Sequence, residues 1–201
     1  MKSADWDQRY ASAERVWSAE PNPSLVGITR DLRPGRALDL ACGEGADAIW
    51  LAERGWRVTA VDFSDVALRK ATSEAMARKV EVEWVSADLR AYEPTPVSFD
   101  LVVILYLHLP PVERRTILSR AAAALAPGGT LLVVGHDRTN PPNAPGPKRP
   151  EILFTPEEIA ADLTRLDVER ADRIPQRSEV HGQAVTGVDT LVVARRNSAA
   201  R

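Results

Sequence analysis

The sequence holds a single cysteine, Cys42, so no disulfide can form within the chain and no cysteine-based metal cluster can be built. No apolar run approaches the roughly 18 residues that a membrane-spanning helix needs. The first ten residues, MKSADWDQRY, lack the apolar stretch of a secretory signal. The expectation is a cytoplasmic protein with no bound metal and no membrane partner. A basic excess is also missing: 26 basic and 28 acidic side chains leave a formal net charge of -2, which offers nothing to a phosphate backbone. Nucleic acid is therefore not expected as a partner, and nothing calls for an obligatory protein partner. Lysine is scarce, at four positions (Lys2, Lys70, Lys79, Lys148), an arginine bias that reflects coding composition more than recognition. There is no internal repeat. The 201 residues suffice for one well-cored domain and are short for two.

What is present centres on LDLACGEGADAI at 38–49. An apolar strand runs into a Gly-x-Gly turn and then into a helix. Asp39 sits in the strand end, and Asp62 closes the next strand nineteen residues after Gly43. This is a nucleotide-binding crossover, and two occupants fit it. GEGADA satisfies the dinucleotide fingerprint, with Asp62 near the place where an acidic residue holds a ribose. A pyrophosphate on such a turn wants positive potential, yet Asp39 precedes the turn and Glu44 lies within it. At roughly 5 Å and an effective dielectric of about 20, each like charge would repel by about 3 kcal/mol. A donor with an ammonium and a sulfonium would instead be attracted, and S-adenosylmethionine is such a donor. Glu44 has a second reading as a solvated first-turn residue favoured by the helix dipole. Cys42 reads as a small packed residue, not a nucleophile.

The periodicity predicts helices at 3–18 and 25–32, a strand at 36–41, a helix at 45–54 and a strand at 57–61. A helix at 65–78 capped by Ser64 follows, then strands at 80–85 and 99–104, a helix at 111–125 and a strand at 130–135. Alternating strands and helices imply an α/β fold with a doubly wound, Rossmann-like parallel sheet. Residues 139–150, TNPPNAPGPKRP, hold five prolines and cannot form a regular element; they read as a mobile lid loop. Thr155 caps a helix at 156–165, and strands at 168–174 and 187–195 finish a single domain, 1–201, with 1–32 as an N-terminal helical cap.

LDLACGEGADAIWLAERGWRVTAVDFS, VSADL at 85–89, FDLVVILYLHL at 99–109 and LAPGGTLLVV at 125–134 together resemble, in order, the motifs of class I S-adenosylmethionine-dependent methyltransferases. The resemblance covers about residues 1–195. It implies seven strands in the order 3-2-1-4-5-7-6, with the last strand antiparallel between strands 5 and 6. It also implies S-adenosylmethionine as methyl donor and S-adenosylhomocysteine as product. On this basis Asp39 would hold the donor's ammonium, beside Ala41 and the close-approach glycines Gly43 and Gly45. Asp62 would take the ribose hydroxyls. Asp88 would accept from the adenine amino group with Ala87 and Leu89 alongside, and Leu105 would line the site. Phe63 either lies against the adenine or is ordinary core.

WDQRYASAERVW followed by EPNP is similar to the openings of thiol, thiopurine and halide methyltransferases. Tyr10 and Trp17 would then offer aromatic faces to the sulfonium; the alternative is an amphipathic helix on the sheet edge. His136 and Asp137 leave strand 5 at its cleft-facing end, and the run GHD, FTPEEI and SEVHG looks like the tellurite-resistance subgroup, which implies that Asp137 and His181 serve a small-molecule acceptor. His108 reads mainly as structural. The activity implied is methylation of a small molecule, with a thiol or chalcogen nucleophile favoured. The alternatives are a non-catalytic S-adenosylmethionine-binding regulatory module and an NAD-dependent oxidoreductase.

Overall fold

A computed structural model of the chain describes residues 3–180 and 182–198. Its centre is β1 (Arg36–Leu40) and β4 (Phe99–Leu105). Both are almost wholly buried, as expected for apolar central strands covered on both faces. β2 (Arg57–Asp62) and β3 (Glu83–Ser86) extend the sheet on one side; β5 (Leu125–His136), β6 (Asp167–Val180) and β7 (Gln183–Arg195) extend it on the other. The order is β3-β2-β1-β4-β5-β7-β6, with β7 antiparallel to both of its neighbours and the other pairs parallel. This is the seven-stranded order expected from the motifs.

Two cores flank the sheet. α2 (Pro23–Thr29) and α3 (Ala46–Glu53) cover one face, where Leu25, Leu51, Leu101, Val103 and Leu132 are buried. α5 (Pro111–Ala124) and α6 (Pro156–Asp162) cover the other, over Leu38, Val102, Leu131 and Phe154. Local chemistry fixes the helix starts. The Ser64 hydroxyl accepts from Ala67 N at 3.2 Å to open α4 (Asp65–Ala77). Thr155 and Glu158 form a reciprocal capping box on α6. β6 is an edge strand with seven charged side chains and Pro175 in DVERADRIPQRSEV, which discourages pairing with another chain.

Several boundaries differ from expectation. α1 (Ser3–Ala11) does not reach residue 18, because the amides of Val16 and Trp17 are captured by the Glu44 carboxylate instead of closing helical turns. The second helix starts at Pro23 and stops at Thr29, β3 starts later than residue 80, and α6 ends at Asp162. β6 and β7 are longer than their apolar cores. Pairing of β7 with β5 stops at His136↔Asp189, whereas pairing with β6 runs on to Val180↔Gln183. A two-stranded arm therefore projects past the end of β5. Residues 139–149 carry no helix or strand, and a single 3-10 turn follows at Pro150–Ile152. The segment is nonetheless tied down: Ala144 is buried, Asn140 Nδ2 donates to Pro145 O, and Val188 N donates to Asn140 Oδ1. Among the described residues no helix is long and apolar enough to cross a membrane.

Candidate active site

The turn after β1 is held open by left-handed backbone at Ala41 (φ 67), Gly43 (φ 52) and Gly45 (φ 76). Ala41 and Cys42 amides both donate to Val61 O, which locks the turn against the end of β2. Asp62 reinforces it, with Oδ2 accepting from Gly43 N and Oδ1 from Ser64 N, both at 2.9 Å. Phe63 N is a third backbone donor to this carboxylate, which with about four acceptor sites still has capacity for a ligand hydroxyl. Asp39 is 3% exposed and Asp62 5% exposed, and Asp47 of α3 comes up beside them, accepting from Asn22 N at 2.7 Å. Burial raises all three carboxyl pKa values. Asp47 is pushed to about 6, and Asp39 is raised further by the charges of Asp47 and Asp62. Among the described residues no Lys or Arg forms an ion pair with any of the three. Three crowded carboxyls without a cation suit a positively charged ligand and oppose a pyrophosphate. Burial likewise raises the Cys42 thiol well above its ordinary range, in keeping with a packed, unreactive residue.

Glu44 is not a solvated residue. It is 3% exposed and its carboxylate accepts from Val16 N and Trp17 N while pairing with Lys70 at 3.1 Å. The electrostatic case for a cationic donor thus rests on Asp47 instead of Glu44. Lys70 Nζ also donates to Tyr10 O and Ala13 O, Asp7 accepts from Ser64 Oγ, and Ser3 Oγ donates to Phe63 O. These bonds strap residues 3–17 across the glycine turn. A Cβ on Gly43 would lie 2.9 Å from Tyr10 Oη and 3.9 Å from Trp17 Cδ1, so glycine is what lets this cover approach. Trp17 Nε1 donates to Tyr10 Oη, and the Arg9 guanidinium stands 4.7 Å from the Trp17 ring centre. One face of Trp17 therefore already holds a cation.

Beyond Asp62, Ala87 N donates to the Asp62 backbone carbonyl at 3.0 Å, which ties the 86–88 turn to the end of β2. Leu89 is buried and Phe63 half-buried. Asp88 is half-buried and forked onto the exposed Arg90, whose guanidinium holds its carboxyl below the ordinary range. An adenine amino group would share that carboxylate with Arg90.

A second polar cluster lies past Leu105. Tyr106 follows in left-handed backbone (φ 56), and its hydroxyl donates to Asp189 Oδ2 at 2.7 Å. The other oxygen of Asp189 meets His136 Nδ1 at 2.9 Å, and Asp189 itself is 1% exposed. Burial and the Asp189 charge raise the Tyr106 pKa, so the phenol remains a donor. His108 Nε2 accepts from His136 N at 3.0 Å, and its ring stacks on that of His136 at 5.2 Å. Burial and the neighbouring His136 lower the His108 pKa to about 4. His108 is a neutral staple between β4 and β5, as its structural reading anticipated. Gly146 (φ 119) brings the proline-rich segment onto His136: a Cβ there would sit 2.5 Å from the imidazole Cδ2.

Strand alternation sends the neighbouring Asp137 to the opposite face. It is fully buried, accepting from Thr139 N, Thr139 Oγ1 and Thr190 Oγ1 and pairing with Arg173 at 3.3 Å. This geometry makes it an anchor for the loop and the hairpin, apart from His136. His181 lies outside the described residues. Sequence reasoning missed Asp47, Tyr106 and Asp189. The available signal for Asp189 was a lone carboxylate opening the apolar run TLVVA.

Residues 37–129 match a family described as a methyltransferase domain. Glycine N-methyltransferase of Oryctolagus cuniculus is 34% identical over 147 residues, which cover 64% of this chain and 50% of that protein. The chain thus spans about half the length of the curated relatives it matches. A solved structure described as the conversion of a disulfide bond into a thioacetal group during echinomycin biosynthesis superposes with TM-score 0.80 at 21% identity, covering 98% of this chain and 93% of that one. The N-methyltransferase NodS of Bradyrhizobium japonicum, bound to S-adenosyl-L-homocysteine, gives 0.73 at 19% identity, covering 98% and 99%. Fold and sequence motifs together define a methyltransferase domain. Residues 37–129 thus match a methyltransferase domain, and the chain as a whole shares its fold with S-adenosylmethionine-dependent methyltransferases. These similarities do not single out the tellurite-resistance or thiopurine-type subgroup.

Proposed function

We propose that this chain transfers the methyl group of S-adenosylmethionine to a small-molecule acceptor. The observation that carries the reading is the pair of buried carboxyls Asp39 and Asp62 with the half-buried Asp47 beside them, without a cation among the described residues, at a left-handed glycine turn roofed by Tyr10 and Trp17. Asp39 and Asp47 would hold the donor's ammonium, Asp62 its ribose, and Ala87, Asp88 and Leu89 its adenine, with Phe63 alongside. Ala41, Gly43, Gly45 and Leu105 would shape the cavity between. The sulfonium supplies an activated methyl carbon, so the chain's own work is to orient the partners and exclude water. In this reading residues 1–32 form a donor cap and 139–150 an acceptor-side lid of one domain.

On the acceptor side, His136 is the group placed to meet a nucleophile, and Asp137 holds the lid in register. A sulfur or heavier chalcogen nucleophile is the favoured acceptor. The sulfur chemistry named for the fold relative with TM-score 0.80 supports it, while the glycine N-methyltransferases point to an amine as the competing acceptor. The paired His136 and Asp189 argue for turnover over a purely regulatory binding role. Calorimetry with S-adenosylhomocysteine and NAD, followed by turnover with thiols, phenols and amines, tests the reading. Binding of NAD without S-adenosylhomocysteine would overturn it, and so would donor binding with no methyl transfer to any acceptor class.

A further inference from the structure

We infer that Asp189 and Tyr106 are positioning residues for acceptor deprotonation: one buried carboxylate, held by the Tyr106 hydroxyl, fixes His136 as the base. The inference rests on the methyltransferase reading above. It stands on a closed set of contacts. Asp189 uses one oxygen for Tyr106 Oη at 2.7 Å and the other for His136 Nδ1 at 2.9 Å. An ionised carboxylate only accepts, so Nδ1 carries the proton and Nε2 keeps its lone pair.

Tyr106 supplies an independent observation. A tyrosine with φ 56 is strained backbone, and the strain is retained because three bonds determine the residue. Its amide donates to Val134 O at 2.7 Å, its carbonyl is engaged by His108, and its hydroxyl reaches Asp189. A relaxed Tyr106 would lose that aim. The Asn22 side chain also reaches the phenol, so the same tyrosine links the donor-side Asn22 and Asp47 pair to the base.

Among the described residues the groups facing His136 are these. Asp189 comes from β7, Tyr106 and His108 from the end of β4, and the Gly146 backbone from the segment above; Asp47 of α3 acts on Tyr106. His108 stays neutral and donates no charge of its own at neutral pH. In the step served, the nucleophile's X–H proton passes to His136 Nε2 as the X lone pair bonds the methyl carbon. The carbon–sulfur bond of the sulfonium breaks, and its electron pair remains on sulfur. The imidazolium that forms is offset by Asp189, and its proton then leaves to solvent. The acceptor class is therefore a nucleophile still protonated near neutral pH, a thiol or hydroxyl, and not a preformed anion.

The test is the pH profile of kcat/KM in wild type, Asp189→Asn and Tyr106→Phe, with S-adenosylhomocysteine affinity measured beside it. Asp189→Asn should lower kcat/KM by about 100-fold or more, the range expected for loss of a general base, and move the acid limb to lower pH. Tyr106→Phe leaves Asp189 with one donor fewer, so the acid limb should move to higher pH by about half a unit to one unit, where one unit corresponds to a tenfold change in proton affinity. Both should bind S-adenosylhomocysteine within threefold of wild type. Rate losses without movement of either limb would reduce the pair to scaffold and overturn the inference. So would an Asp189→Asn enzyme of full activity, while the methyltransferase reading would survive on wild-type turnover. If Asp189→Asn fails to fold, the Tyr106→Phe profile alone decides.

Discussion

Glu44 and Lys70 form an ion pair of 3.1 Å beneath the N-terminal strap, and every remaining bond of both groups goes to that strap's backbone. Removing Glu44 orphans two amides and leaves a lysine without its anion. Hydrogen bonds to charged groups contribute about 1.5–3 kcal/mol each. Glu44→Gln should therefore loosen residues 12–17 and speed S-adenosylhomocysteine release several-fold. Stopped-flow dissociation and limited proteolysis at Arg15 check this; an unchanged release rate would mean that the strap does not close over the donor.

Asp62→Ala removes the acceptor for the amides of Gly43 and Ser64 and, on the proposed reading, for two ribose hydroxyls. Donor affinity should fall at least about tenfold, or 1.4 kcal/mol. Calorimetry on the folded variant decides, and equal affinity would remove Asp62 from the donor site.

Donor affinity should depend on pH because Asp47 titrates at about 6 and the Asp39 carboxyl lies well above its ordinary range. A cation binds the ionised carboxylates, so binding is favoured above those pKa values and weakens as pH falls through 6. Between pH 5 and 7 binding should release protons, more for S-adenosylmethionine than for its uncharged-sulfur product. Calorimetry in buffers of different ionisation enthalpy reads the proton count; zero release across that window would contradict the arrangement.

His108 gives stability a pH dependence of known sign. Its folded pKa of about 4 lies below the unfolded value of 6.5, so the unfolded chain binds the extra proton. Stability is full above pH 6.5 and is lost as pH falls toward 4, by up to about 3 kcal/mol at 1.36 kcal/mol per unit. His108→Gln keeps a donor and an acceptor without titrating. Urea unfolding at pH 7.5 and pH 5 should show a smaller gap in the variant than in wild type.

The donor half was largely legible because its signals are local. Asp39, Gly43, Gly45 and Asp62 sit within one β-turn-α-β unit, and the apolar runs around them mark the strands. The acceptor half was not, because its key bonds join residues 53 and 83 positions apart. His136 was visible as a histidine at a strand end, but nothing local pairs it with Asp189. The helix predicted to residue 18 failed for the same reason: Glu44, 27 residues from Trp17, outbids the helix for its amides. Asp137 shows the converse, a carboxylate adjacent to His136 in sequence that the strand turns to the other face of the sheet, onto Thr190 and Arg173.

The insertion of β7 between β5 and β6 divides the site between two parts of the chain. The glycine turn rests on β1, β2 and β4, whereas Asp189 is supplied by the C-terminal hairpin through its strand beside β5. Among the described residues the hairpin and the loop clasped to it through Val188 and Asn140 share no hydrogen bond with the glycine turn. On the proposed reading, variation in the acceptor has a physical address in these segments, set against the fixed frame of Tyr106 and His136.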